Sequence, residues 1–242
     1  MSMPDDLPPI VPKAPRDAIV DALLELCAER RWEEISISDV AERAGVTLSQ
    51  FRDCFPSKGA VLAAFSRRID KMVLDGMDDA LAAEPAKERL ADVLMRRLDA
   101  MSPWREGLKG VTEWARRDPL GAAALNRMVV NSMRFMLEAA RIDSEGPLGA
   151  IKLQGLTLAW ARVLQVWFED RDEGLGRTMA ALDRELTRGG RLVGYAQDIH
   201  HLTAPLRAFA GALCRARGDF GGRVRERWAD RGEQGEEEPI AG

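Results

Sequence analysis

The 242-residue chain is 46% apolar and 31% charged, and 35 Lys and Arg against 39 Asp and Glu leave a net charge of −4. That length suits one large or two small domains with a sizeable core. The lack of any run of about 18 apolar residues excludes a membrane-spanning protein, and the negative balance excludes nucleic-acid binding through an overall positive field. Any contact with DNA therefore has to come from a local patch.

Cys27, Cys54 and Cys214 are far apart and form no Cys-x-x-Cys pair. They are expected as free thiols rather than as a disulfide framework or a metal site. The segment from Met1 to Pro15 is acidic and proline-rich, without the basic flank and apolar core of a secretory signal, so a cytoplasmic protein is expected. Residues 1–14 are expected to be disordered.

With one Tyr in the chain and apolar residues recurring at spacings of three and four, the pattern predicts an all-α protein. A first helix runs from about Pro15 to Arg30, with Pro at a tolerated early position, Asp17 near the positive end and Ile19, Leu23, Leu26 and Cys27 on one stripe. Ser36-Ile37-Ser38-Asp39 has the form of a capping box, with Ile35 and Val40 at the stapling positions. Thr47-Leu48-Ser49-Gln50 repeats the device with Val46 and Phe51. Gly45 between them supplies a left-handed residue, so two short helices joined by a tight turn are predicted. Phe55-Pro56-Ser57-Lys58 stops the third helix and caps a fourth, expected from about Lys58 to Ala82. Longer amphipathic segments follow at about Lys87–Met101, Pro103–Arg116, Pro119–Arg141, Pro147–Glu169, Leu175–Arg188 and Ala204–Arg215. From Gly218 onward charge alternates with glycine, and a disordered tail over 217–242 is expected.

The stretch Arg16–Asp70 resembles the DNA-binding domain of the TetR family of bacterial transcriptional regulators. The matching residues are Ala28-Glu29-Arg30 with Trp32, then Ser36 through Thr47, then Phe55-Pro56-Ser57-Lys58. The resemblance implies an N-terminal three-helix helix-turn-helix domain over 15–70, continuing into a linking helix, and a C-terminal ligand-binding and dimerisation bundle over 71–216. The second helix of such a motif offers its N-terminal side chains to base edges while flanking groups grip phosphates. With Phe51 and Phe55 packed inward, Leu48, Ser49, Gln50 and Arg52 are the candidate readers. Gln50 suits adenine, and Arg52 suits guanine or phosphate. Ser36 and Thr47 are expected to cap their helices and to offer hydroxyls and amides to phosphate, with Lys58 adding a cation at the next helix start. The family commonly has Lys or Arg where this chain has Leu48, Tyr where it has Arg52, and His or Tyr where it has Cys54. Eight basic residues stand against nine acidic ones over Arg16–Arg68, a net charge of −1.

The resemblance further implies a homodimer on a palindromic double-stranded operator, responsive to a small apolar effector, with repression as the family's usual mode. Leu156, Trp160, Leu164, Trp167, Met179 and Leu182 are candidates for the dimer interface, because Pro147–Glu169 and Leu175–Arg188 carry more apolar surface than one narrow face needs. Trp104, Trp114, Met128, Met133 and Met136 are candidates for an effector pocket. Val166–Asp170 through Thr178–Arg184 is also similar to the TetR-fold accessory proteins of ubiquinone biosynthesis, which bind isoprenoid lipid. Ala204–Cys214 would be the amphipathic helix such a protein needs. No phosphate loop, His-Glu-x-x-His, nucleophile elbow or Cys-His pair is present, and His200-His201 lacks partners at ligand spacing, so neither an enzyme nor a bound metal or cofactor is expected.

Overall fold

The computed structural model describes residues 13–78, 82–145 and 149–191, and among these there is no strand. The helices are α1 (Pro15–Glu29), α2 (Ile37–Arg43), α3 (Leu48–Cys54), α4 (Lys58–Asp75), α5 (Ala86–Met101), α6 (Arg105–Ala115), α7 (Pro119–Ala139) and α8 (Gly149–Trp167). Residues 176–191 are helical as well. Short 3-10 turns at Trp32–Glu34 and Ser102–Trp104 lead into the Ser36 cap and into α6.

The local signals for α1 to α4 act as their chemistry requires. Pro15 opens α1, and the Ala14 carbonyl accepts from the amides of Asp17 and Ala18. The Lys13 ammonium lies 2.6 Å from Asp21, so the last two residues of the expected disordered segment are held in place; the rest of that segment, residues 1–12, lies outside the described residues. Both capping boxes form reciprocally, at Ser36/Asp39 and at Thr47/Gln50. Gly45 takes φ +66°, which lets its amide reach the Glu42 carbonyl and the Val46 amide reach the Ala41 carbonyl. The fourth helix ends at Asp75 rather than Ala82, because the Gly76 amide turns back onto the carbonyls of Met72 and Val73 and closes the helix about two turns early.

Helix α1 is buried on more than one stripe: Ile19, Val20, Leu23, Leu24, Leu26 and Cys27 are all enclosed, because α2, α3, α4 and α6 pack around it. The approach of α6 is very close. A Cβ placed on Gly107 would lie 2.1 Å from the Leu24 carbonyl oxygen, and one on Gly110 would lie 2.2 Å from that of Cys27. Two glycines one turn apart thus let the backbones of α1 and α6 touch, joining the three-helix unit to the following bundle.

Helix α4 makes the second connection, packing on α1 and also on α5 and α7. Where it meets α5 and α7 sits a buried polar node. The Asp70 carboxylate accepts from Arg97 Nη1 and from the Ser132 hydroxyl, with the Arg97 guanidinium 5.8 Å from the centre of the Trp160 ring. The residues come from α4, α5, α7 and α8. Around the node lie Val73, Leu94, Leu98, Met133, Met136, Trp160 and Val163, part of one continuous buried core.

Candidate nucleic-acid interface

Helix α3 is a seven-residue rod fixed from one side only. Phe51 is buried, Cys54 is half-buried and Phe55, just past the end, is buried, while Leu48, Ser49, Gln50, Arg52 and Asp53 are exposed. The rings of Phe51 and Phe55 lie 6.3 Å apart, and the Arg16 guanidinium covers Phe55 at 4.5 Å while donating to the Cys54 carbonyl at 3.2 Å. Arg16 therefore ties the end of α3 to the start of α1, a role that no local pattern announces. The side chains of Ser49, Arg52 and Asp53 form no ion pair or hydrogen bond among the described residues.

Several expected contacts are already committed within the chain. The Gln50 Oε1 accepts from the Thr47 amide at 2.8 Å, which uses one of the oxygen's two lone pairs and turns the amide back onto the cap, away from the pose that a two-point contact with adenine requires. Ser36 gives both its amide and its hydroxyl hydrogen to Asp39 Oδ2 at 2.7 Å, so its donors face its own carboxylate rather than a phosphate. Those hydrogen bonds, from the backbone first and then from the hydroxyl, hold the Asp39 carboxyl below its ordinary pKa. Thr47 keeps its hydroxyl hydrogen, because its oxygen serves only as the acceptor for the Gln50 amide.

Lys58 corrects the expectation of a free cation. Its ammonium turns inward, donating to the carbonyls of Trp32 (2.7 Å) and Ile35 and lying 4.6 Å from the centre of the Trp32 ring. Desolvation lowers its pKa from the ordinary lysine value. The physical reason is the turn at Trp32–Glu34, where the Trp32 carbonyl accepts only a long 3.4 Å bond from the Ile35 amide and, with the Ile35 carbonyl just past the turn, is left to a further donor. Nearby arginines are also occupied, with Arg43 on Glu29 at 2.7 Å, Arg30 on the Glu34 carbonyl at 2.6 Å and Arg31 on Glu34. Arg52 is thus the free cation on the face that α3 presents. Cys27 behaves as a buried thiol, with burial pushing its pKa up to about 12.

The candidates in the bundle need larger corrections. Leu156, Trp160, Trp167 and Leu182 are buried inside their own chain and Leu164 is half-buried, so the surplus apolar surface of these helices is largely spent on intrachain packing. Only Met179 of that set is exposed, at 50%. The apolar groups that α8 turns outward are Ile151 and Leu158, seven residues apart on one face. The five pocket candidates do not converge on one cavity. Trp104 meets the edge of Phe65 and the Arg68 guanidinium, Trp114 stacks on Trp32 at 4.7 Å, Met133 and Met136 are fully buried core, and Met128 packs against that core.

The segment Val166–Asp170 through Thr178–Arg184 fastens helices together. Arg105 donates to the carbonyls of Trp167 and Asp170 and lies over the Trp167 ring at 4.8 Å, while Asp170 accepts from the Thr178 amide and hydroxyl. Ala204–Arg215, His200-His201, Cys214 and the expected tail lie outside the described residues. Among the described residues no helix is long and apolar enough to cross a membrane, and no three His, Cys, Asp or Glu side chains are grouped to hold a metal ion.

Neither a protein-family model nor a curated protein matches the sequence. Solved structures do match. A TetR transcriptional regulator from Nitrosomonas europaea superposes with a TM-score of 0.55 at 28% identity, over 72% of this chain and 97% of the other. One from Rhodococcus sp. superposes with a TM-score of 0.51 at 20% identity, over 72% and 95%. The capped pair α2–α3, its glycine turn and the all-helical body behind it define a helix-turn-helix transcriptional regulator. Within that class, the chain is similar in fold and sequence to the TetR-family regulator from Nitrosomonas europaea.

Proposed function

We propose that the chain acts in the cytoplasm as a homodimer that sets two copies of α3 into successive major grooves of a two-fold operator, and that it represses transcription until a small effector changes their separation. The observation that carries this reading is α3 itself: a rod capped at its start and anchored by Phe51, with Ser49, Arg52 and Asp53 unoccupied on its outer face. Half-sites one helical turn apart, about 34–36 Å, follow from the two-fold symmetry. Ile151, Leu158 and Met179 supply the exposed apolar surface for pairing.

With most arginines of the helix-turn-helix unit already paired, few phosphates would be neutralised, and affinity should depend only gently on salt. The test is a gel shift with the promoter region flanking the chain's own gene, repeated over a range of salt concentrations. Specific retardation that weakens with a shallow salt slope supports the proposal. Absence of retardation at low salt, with the protein folded, rejects it.

A further inference from the structure

The outer face of α3 carries one large apolar side chain. Leu48 occupies the first position of the helix with 56% of its surface exposed, directly after the Thr47 cap. A single exposed leucine is ordinary on a protein surface. This one, however, sits where a helix-turn-helix presents side chains to base edges, and its neighbours limit what can be read there. Gln50 has its oxygen tied into the cap, and Ser36 has its donors tied to Asp39. Arg52, one turn after Leu48 on the same flank, supplies the strong donor for guanine or phosphate.

An isobutyl group can neither donate to nor accept from a base edge. The one apolar feature in the major groove is the 5-methyl group of thymine. Resting on the DNA-binding reading above, we infer that Leu48 reads that methyl in each half-site, next to the base or phosphate held by Arg52. Leu48 thereby selects thymine over cytosine and over uracil. Burying one methyl against the leucine is worth about fourfold in affinity per half-site, roughly fifteenfold over a symmetric pair.

The test uses the full chain. Duplexes are selected from a randomised pool, and in the preferred one each thymine is replaced in turn, in both half-sites, by deoxyuridine, which removes only the methyl. One position per half-site should lose binding by roughly fifteenfold in the paired replacement, and Leu48→Ala should bind the thymine and uracil duplexes equally at that position. Leu48→Ala should also melt with the wild type, because the side chain is exposed. If a duplex is selected but no uracil replacement matters, or the same loss persists in Leu48→Ala, the inference is overturned while DNA binding stands. If no duplex is enriched, the DNA-binding reading fails and the inference with it.

Discussion

Replacing Gly107 by Ala adds one methyl where α1 and α6 touch. The new carbon would lie 2.1 Å from the Leu24 carbonyl oxygen and 2.9 Å from its carbonyl carbon, and both are backbone atoms of a helix that cannot turn aside as a side chain would. A carbon and an oxygen settle at about 3.3 Å or more, so α6 has to retreat by about 1 Å. That retreat loosens Val111, which is buried on the same helix. Overpacking of this kind costs about 1–3 kcal/mol, against which the better helix propensity of Ala returns up to about 1 kcal/mol. A clash this short with backbone puts the cost at the upper end of that range, and a net loss of about 2 kcal/mol should lower Tm by about 4–8 °C for a body of this size. Gly110→Ala should do the same through the Cys27 carbonyl, and the double variant should cost less than the sum, because one retreat relieves both clashes. Thermal and urea unfolding of the three variants, with Gly59→Ala as a control, provide the measurement. Gly59 meets nothing nearer than 3.8 Å, so its replacement should be neutral or stabilise by up to about 1 kcal/mol. If Gly107→Ala melts with or above the wild type while Gly59→Ala behaves as stated, the two backbones are not in contact and the reasoning is wrong.

Three other outcomes are expected. Arg97→Met leaves the Asp70 carboxylate buried with only the Ser132 hydroxyl and should cost about 3–5 kcal/mol in urea unfolding, whereas adding Asp70→Leu should recover much of it; an additive double variant would refute the coupling. Asp21, Asp39 and Asp170 all have carboxyl pKa values held below the ordinary one, Asp21 by Lys13 and Arg68 against its own desolvation, Asp39 by Ser36 and Asp170 by Thr178. The stability they contribute is therefore present above the unfolded value of about 4 and is lost as pH falls through the lowered folded values. Urea midpoints from pH 6 down to pH 3 should fall, and Asp170→Asn should flatten part of that fall. Leu158→Glu, at a side chain 58% exposed, should leave the melting of the isolated chain unchanged yet shift sedimentation from dimer to monomer; an unshifted dimer would move the interface elsewhere.

What the sequence discloses is set by how local the physics is. The two capping boxes, the Gly45 turn and the Pro56 stop each involve partners within five residues, so their chemistry is written in a short run of letters and the structure forms them as written. Lys58 shows the limit: the same Ser-Lys start that signals a helix also places an ammonium beside carbonyls 23 and 26 residues earlier, and nothing within reach of Lys58 in sequence names them. Arg97 lies on the stripe Leu90, Val93, Leu94, Leu98 and Met101, so the periodicity of α5 alone places a charge in the core, although its partner on α4 is written elsewhere in the chain. The dimer candidates show a different limit: Leu156, Trp160, Trp167 and Leu182 are buried within their own chain, and Met179 is exposed. Excess apolar surface on α8 announces burial without saying which neighbour does the burying, and α7 together with the rest of the chain's own core takes Trp160 and Trp167 before a second copy can. The groups left for function are those that local capping and intrachain packing both fail to use, and on α3 these are Leu48, Ser49, Arg52 and Asp53.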